Sequence, residues 1–157
     1  MMRRWTVIGL VSVSITILLA TTQVGRAGRF EKPRVRFAPV HIYLDPGRPG
    51  VPGLAAYQFE LRATTGKIKI VGVEGGEHAA FKEAPYYDPA ALAKDRIIIA
   101  AFNTGRDLPK GRTRIATVHL QILGAAEPEY ELDLTVAADA DGRELPAKLN
   151  LERGDVK

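Results

Sequence analysis

The chain has 157 residues and no cysteine, which leaves room for one domain and excludes disulfides, thiolate metal sites and a cysteine nucleophile. An apolar fraction of 46% with 25% charged residues is typical of a folded globular protein. The formal charge of +4 includes Arg3, Arg4 and Arg26 of an acid-free N-terminus, and the remaining 19 basic and 18 acidic residues predict no nucleic-acid partner.

The N-terminus has the pattern of an export signal. Arg3 and Arg4 precede an uncharged apolar run at residues 5–20, and the small residues at 25–27 predict cleavage after Ala27. The alternative is an uncleaved membrane anchor. In an anchored, exported protein the positive charges at 26–36 would lie outside, whereas positive charges beside a membrane span usually lie on the cytoplasmic side. We therefore expect a signal peptide or anchor helix at 1–27, a linker at 28–33, and an exported domain that is periplasmic, extracellular or anchored facing outward.

The first half of the domain alternates apolar and polar residues, as strands with one wet face do. A first strand contains residues 40–44, and the loop at 45–53 holds three prolines and three glycines. A second strand at 57–63 ends in a turn at 64–66, and the apolar phase then slips by one residue within 67–74, which predicts a β-bulge or a strand buried on both sides.

The second half continues with short strands. Asp88 and Pro89 are typical of a helix start, which predicts one short helical turn near 88–93. Residues 96–103 have no polar break among their apolar residues, which predicts a central strand covered on both faces. Further strands are predicted at 115–123, 130–137 and 145–151, the last two joined by a hairpin around Asp141-Gly142. This set predicts an all-β, two-sheet β-sandwich over 34–153, with a tail at 154–157.

The order of motifs resembles the cohesin-like modules. The resemblance rests on four segments, 40–47 (VHIYLDPG), 54–61 (LAAYQFEL), 70–76 (IVGVEGG) and 114–120 (RIATVHL). It implies a jelly-roll sandwich, related in shape to some carbohydrate-binding modules, and an exported dockerin-type protein as partner. In that family a Tyr-Asp-Pro-x-x-Leu segment directly follows the second strand, whereas here YDPAAL stands at 87–92.

Few residues after position 27 carry chemistry. The absence of serine and cysteine there excludes the corresponding hydrolase mechanisms, and His41, His78 and His119 lack metal-site spacing. The Asp139-Ala-Asp-Gly segment fits a turn rather than a calcium loop. Loop carboxylate pairs, Glu74 with Glu77 and Glu83 with Asp88, leave a small glycoside hydrolase as an alternative.

Binding is the remaining class. Aromatic and hydrogen-bonding side chains at predicted loop positions suit sugar or peptide recognition. The candidate ligand-binding residues are Tyr86, Tyr87, Asp88, Asn103, Arg106 and Asp107. We expect a non-enzymatic protein-binding module without metal, cofactor or catalytic residues, which assembles with a dockerin-type or envelope protein. The alternatives are a carbohydrate-binding module with a polysaccharide ligand and, secondly, the carboxylate-dependent glycoside hydrolase.

Overall fold

A computed structural model describes residues 34–48 and 50–155, which belong to one compact unit, Lys32–Lys157. The predicted signal or anchor helix at 1–27 and the linker at 28–33 lie outside the described residues. Within residues 34–48 and 50–155, no helix is long and apolar enough to cross a membrane. The described residues form eight strands and two 3-10 turns, at Ala79–Phe81 and Pro89–Ala91.

Two antiparallel four-stranded sheets make up the domain. The strands are β1 Val35–Asp45, β2 Ala56–Thr65, β3 Lys67–Gly75, β4 Tyr86–Tyr87, β5 Arg96–Phe102, β6 Thr113–Leu123, β7 Glu129–Ala138 and β8 Lys148–Arg153. Sheet A has the order β3-β6-β1-β8, and sheet B has the order β4-β5-β2-β7. This arrangement is consistent with the predicted two-sheet β-sandwich.

The core lies between the two sheets because strands such as β1 and β2 bury alternate side chains. In β2 the buried residues are Tyr57, Phe59 and Leu61, and the intervening residues face outward. Sheet A contributes the same pattern. Its fully buried side chains include Val40, Ile42, Leu44, Ile70, Ile115, Val118 and Leu120. The period-two reading of β1 and β2 is therefore confirmed.

Tyr57 connects the two sheets through the core. Its hydroxyl, on β2 of sheet B, donates a hydrogen bond of 2.8 Å to the backbone carbonyl of Ile115, on β6 of sheet A. Its ring packs against the rings of Phe59 and Phe81, with centroids 6.0 and 5.1 Å away. A buried hydroxyl needs a hydrogen-bond partner, so this bond favours one alignment of the two sheets. The rings of Tyr57, Phe59 and Phe81 pack together in that alignment.

Turn chemistry explains how the chain changes sheets. Gly66 has a φ of +79°, which a residue without a side chain adopts at no steric cost, and it leads β2 of sheet B into β3 of sheet A. Of the two explanations for the slip in apolar phase, the bulge is confirmed, since the pairing of β3 with β6 shifts register between Ile70 and Gly72 and the strand has an exposed face. The predicted helical turn is the 3-10 turn at Pro89–Ala91, where the Asp88 carboxylate accepts a bond from the Ala90 amide.

Two expectations from the pattern are wrong. The turn around Asp141-Gly142 does not make a hairpin of β7 and β8, because β7 belongs to sheet B and β8 to sheet A. Asp139 instead closes a local turn, accepting bonds of 2.9 Å from the amides of Asp141 and Arg143. Strand β5 is also not covered on both faces: Ile97 and Ile99 are buried, but Ile98 is exposed on the outer face.

We expect Tyr57→Phe to lower the free energy of unfolding by about 1–3 kcal/mol, because it leaves the buried Ile115 carbonyl without its hydroxyl donor. Urea unfolding followed by circular dichroism measures this change. Tyr86→Phe is the matched control, since its exposed side chain should change stability by less than about 0.5 kcal/mol. A Tyr57→Phe chain as stable as the parent would contradict the role of the hydroxyl.

We also expect a stability loss in alkali that depends on Tyr57. Burial raises the pKa of Tyr57 well above its ordinary value of 10.0. Above pH 10 the unfolded chain therefore loses this proton while the folded chain keeps it, and stability falls by about 1.4 kcal/mol per pH unit for this group. Unfolding curves between pH 9 and pH 11 test this. In the Tyr57→Phe chain, stability should fall less steeply with pH. Part of the fall that remains comes from Tyr130, because burial also raises the pKa of that residue.

Candidate functional site

Three of the predicted binding residues lie together at the edge of sheet B. Tyr86 and Tyr87 form the two-residue strand β4, which pairs with Ala100 and Ile99 of β5. Tyr87 packs partly against the core, while the Tyr86 side chain is 69% exposed. Asp88 uses one carboxylate oxygen to cap the following 3-10 turn. Tyr86 is therefore the member of this group that is freest to meet a ligand.

The other three predicted residues lie in the loop after β5. Asn103 is engaged inside the protein, where its amide donates to the Ala80 carbonyl at 2.9 Å and accepts from the Gly105 amide at 2.7 Å. Arg106 is exposed. Asp107 lies 3.9 Å from Nε2 of His78 and lines a depression with it. The structure does not bring these residues into the groove that Tyr86, Tyr87 and Asp88 line.

The outer face of sheet B carries an apolar patch, defined here as Tyr86, Ile98, Phe102 and Val136, which are all exposed. The rings of Tyr86 and Phe102 stack with centroids 6.1 Å apart and an angle of 11° between their planes. Phe102 is 65% exposed, and these two rings are the largest apolar groups on this face. Sequence reasoning missed Phe102 and Ile98 because it treated β5 as covered on both sides, and it did not single out Val136 of β7.

A ladder of ion pairs flanks the apolar patch. Arg96 donates two hydrogen bonds, of 2.7 and 2.6 Å, to the carboxylate of Glu60 on the neighbouring strand. Arg62 pairs with Glu131 on the other side. The Arg96 guanidinium, first by its hydrogen bond and then by its charge, holds the pKa of Glu60 below the ordinary value, with Arg62 adding a smaller effect. The outer face of sheet B is thus divided into an apolar part and a charged part.

A groove of about 610 Å³ runs beside β4 and along β5. It exists because β4 ends after two residues, so that among the described residues no strand pairs with Arg96–Ile98 on that side. Its polar groups include Asp88, Lys94 and Arg96, and its apolar wall includes Tyr86 and Ile98. The groove is therefore continuous with both the apolar patch and the ion-pair ladder.

The histidines lie apart from this face and have separate partners. His41 lies 3.0 Å from the Thr117 hydroxyl, and Nε2 of His119 lies 3.0 Å from Glu74. His78 accepts a hydrogen bond from the Ala80 amide. In the part of the chain that the structure describes, no group of three or more histidine, aspartate or glutamate residues is arranged to hold a metal ion.

Two of the carboxylates considered for hydrolysis, Glu74 and Glu77, have structural contacts. Glu74 faces His119, whereas Glu77 accepts a bond of 2.9 Å from the Arg114 amide. Gly76 permits this close contact of loop and strand, since a Cβ there would lie 2.1 Å from the Arg114 carbonyl oxygen. Gly76 thus serves packing, and Glu77 connects the loop to β6.

Comparisons with protein-family models, with curated proteins and with solved structures found no match for this chain. The likeness to cohesin modules therefore stays a hypothesis, and the exposed side chains of the two sheets are the physical basis for assigning a function.

We expect Arg96→Met to raise the pKa of Glu60 toward its ordinary value of 4.5, because the variant removes both the hydrogen bonds and the nearest positive charge. Titration of the Glu60 carboxyl carbon by NMR measures the change. Arg62→Met is the control and should produce a smaller rise, since Arg62 acts on Glu60 only through its charge. Equal rises in the two variants would mean that the Arg96–Glu60 pair does not form in solution.

Proposed function

We propose that this protein is an exported, non-enzymatic β-sandwich module similar to cohesin, which binds another exported protein through the outer face of sheet B. The observation that carries the proposal is the stacked pair Tyr86 and Phe102, whose side chains are 69% and 65% exposed. Large apolar groups clustered on a solvent-facing sheet are typical of interaction surfaces. The apolar run at residues 5–20 supports export or membrane anchoring.

The composition of this face suits a protein partner. Tyrosine and arginine are enriched among the residues that carry most of the energy of protein interfaces. Tyr86, Phe102 and Ile98 supply an apolar centre, and the ion pairs of Arg96 and Arg62 lie beside it as charged groups that select a complementary surface. We propose a dockerin-type or envelope protein as the partner.

The strand connections support a jelly-roll arrangement. The first strand pairs with β6 and with β8, so both ends of the described chain meet in sheet A. Strands β2 and β3 are consecutive, yet they belong to different sheets. Such exchanges between sheets are a feature of Greek-key and jelly-roll folds. The resemblance to cohesin modules is therefore compatible with the observed order of strands.

A carbohydrate ligand is the second candidate. The specific observation in its favour is the exposed stack of Tyr86 and Phe102, whose ring planes are nearly parallel, with an angle of 11° between them. Flat apolar ring faces suit stacking against a sugar, with the polar groups of the adjacent groove available for hydroxyls. Both candidates use the same face, and they differ in the chemical class of the ligand.

We expect the double variant Tyr86→Ala, Phe102→Ala to retain its protein partner at least about tenfold more weakly, because interface anchors of this kind cost 2 kcal/mol or more when truncated. The full chain is immobilised and exposed to the exported proteins of its source cell. Retained proteins are quantified by mass spectrometry, and a glycan array is probed in parallel. Phe37→Ala, which removes an exposed aromatic ring from sheet A, is the matched control.

The proposal requires that a defined set of proteins is lost with the double variant and kept with Phe37→Ala. If the double variant retains the same proteins as the parent, the outer face of sheet B is not the binding face. If only oligosaccharide binding is lost, the carbohydrate-binding candidate replaces the protein-binding one. Thermal unfolding of both variants verifies that the comparison involves folded chains.

A further inference from the structure

Sheet A carries a different exposed surface at the end where β1 begins. Val35, Phe37 and Val71 point outward there and are 48%, 50% and 45% exposed. Phe37 and Val71 line one groove. In the strand register, Phe37 lies opposite Gln121 of β6, and Gln121 lies opposite Lys69 of β3. In the next row Val35, Leu123 and Lys67 are aligned in the same way. We call this surface the β1 patch.

The β1 patch is shaped by the bulge in β3. Val71 points outward by the alternation of a strand whose Ile68 and Ile70 face the core, and the shift in register between Ile70 and Gly72 leaves Val71 as the unpaired residue of the bulge. Beside Val71 is an apolar groove of about 350 Å³, which Phe37 and Pro39 also line. This surface is therefore apolar and concave, whereas the outer face of sheet B is divided into an apolar part and paired charges.

Most charges around the β1 patch are cationic, and the acidic residue that lines its groove is Asp155. Lys67 and Lys69 are exposed and alternate with the buried residues of β3, so they lie on the outer face of sheet A beside Leu123 and Gln121. Arg34, directly before β1, is also exposed. The acidic residue of β3 is Glu74, which lies farther along the strand and faces His119. An apolar surface with basic neighbours complements an anionic lipid surface.

The sequence before β1 also favours an anionic membrane as the partner. Residues 26–36 contain Arg26, Arg29, Lys32, Arg34 and Arg36 against a single acidic residue, Glu31, and an apolar run lies at 5–20. From Thr21 to Arg34 there are 14 residues. A chain of that length spans at most about 50 Å when fully extended, so an anchored domain remains near the bilayer.

We propose that the β1 patch docks on the anionic surface of the membrane in which the N-terminal run is anchored. This inference rests on the anchored form of the exported protein and does not depend on the ligand of sheet B. Phe37, Val35 and Val71 enter the boundary between headgroups and acyl chains, while Lys67, Lys69 and Arg34 contact anionic headgroups. The outer face of sheet B then points away from the bilayer, toward a partner.

Tryptophan fluorescence in the full chain tests the proposal. Trp5 is the only tryptophan, so Trp5→Phe provides a background in which Phe37→Trp or the matched control Phe102→Trp is the single reporter. The chains are reconstituted in vesicles of phosphatidylserine and phosphatidylcholine with brominated acyl chains, which quench nearby indoles. Val71→Trp is a second reporter for the patch, and circular dichroism verifies folding.

We expect quenching of the Phe37→Trp and Val71→Trp chains at least about threefold stronger than that of the Phe102→Trp chain. Quenching should fall at least about twofold when vesicles contain phosphatidylcholine alone, or when Lys67→Glu and Lys69→Glu are added, because the electrostatic attraction is lost. Equal quenching on both faces, or none at the patch, overturns the proposal. If quenching is the same with and without anionic lipid, and with and without the lysine changes, the proposed preference of the patch for anionic lipid is overturned.

Discussion

The inner faces of the two sheets can be removed from water only by covering one another, and this mutual burial governs the rest of the domain. Tyr57 shows the constraint at a single residue. Its ring fills the space between the sheets, and its hydroxyl bonds to the Ile115 carbonyl because a buried hydroxyl without a partner costs free energy. Since successive side chains of a strand point to opposite faces, every buried residue also sends its neighbours outward. The two outer faces are therefore consequences of the core.

The two outer faces differ in how their charged and apolar side chains are arranged. On sheet B the charged side chains are paired across strands, as in Arg96 with Glu60, and the stacked rings lie beside them. On sheet A the lysines of β3 stand beside the apolar side chains of β1. Paired charges add little net attraction but constrain which surface fits. The lysines of β3 form no ion pair within residues 34–48 and 50–155, and such charges attract any anionic surface. The sandwich therefore presents two chemically unlike outer faces on opposite sides of one core, as the two proposed partners require.

Several local features followed from the residue pattern alone. The alternation in β1 and β2, the bulge in β3 and the turn at Asp88-Pro89 each depend on interactions between residues close in the chain. Tyr86 was identified as a binding candidate because it is an aromatic residue beside a predicted turn. Its stacking partner Phe102 was missed, since the two residues are distant in sequence and meet only through the pairing of β4 with β5.

The pairing of strands and the covering of their faces were decided by tertiary packing. An Asp-Gly turn has the same local chemistry whether it joins paired strands or, as around Asp141, precedes a crossing from sheet B to sheet A. Likewise, the unbroken apolar run of β5 does not encode whether a second layer will cover Ile98, because hydrophobic burial depends on area supplied by other parts of the chain. The amino-acid pattern therefore determined an all-β domain with alternating faces, while only the assembled sheets exposed Phe102 beside Tyr86 and Phe37 beside Val71.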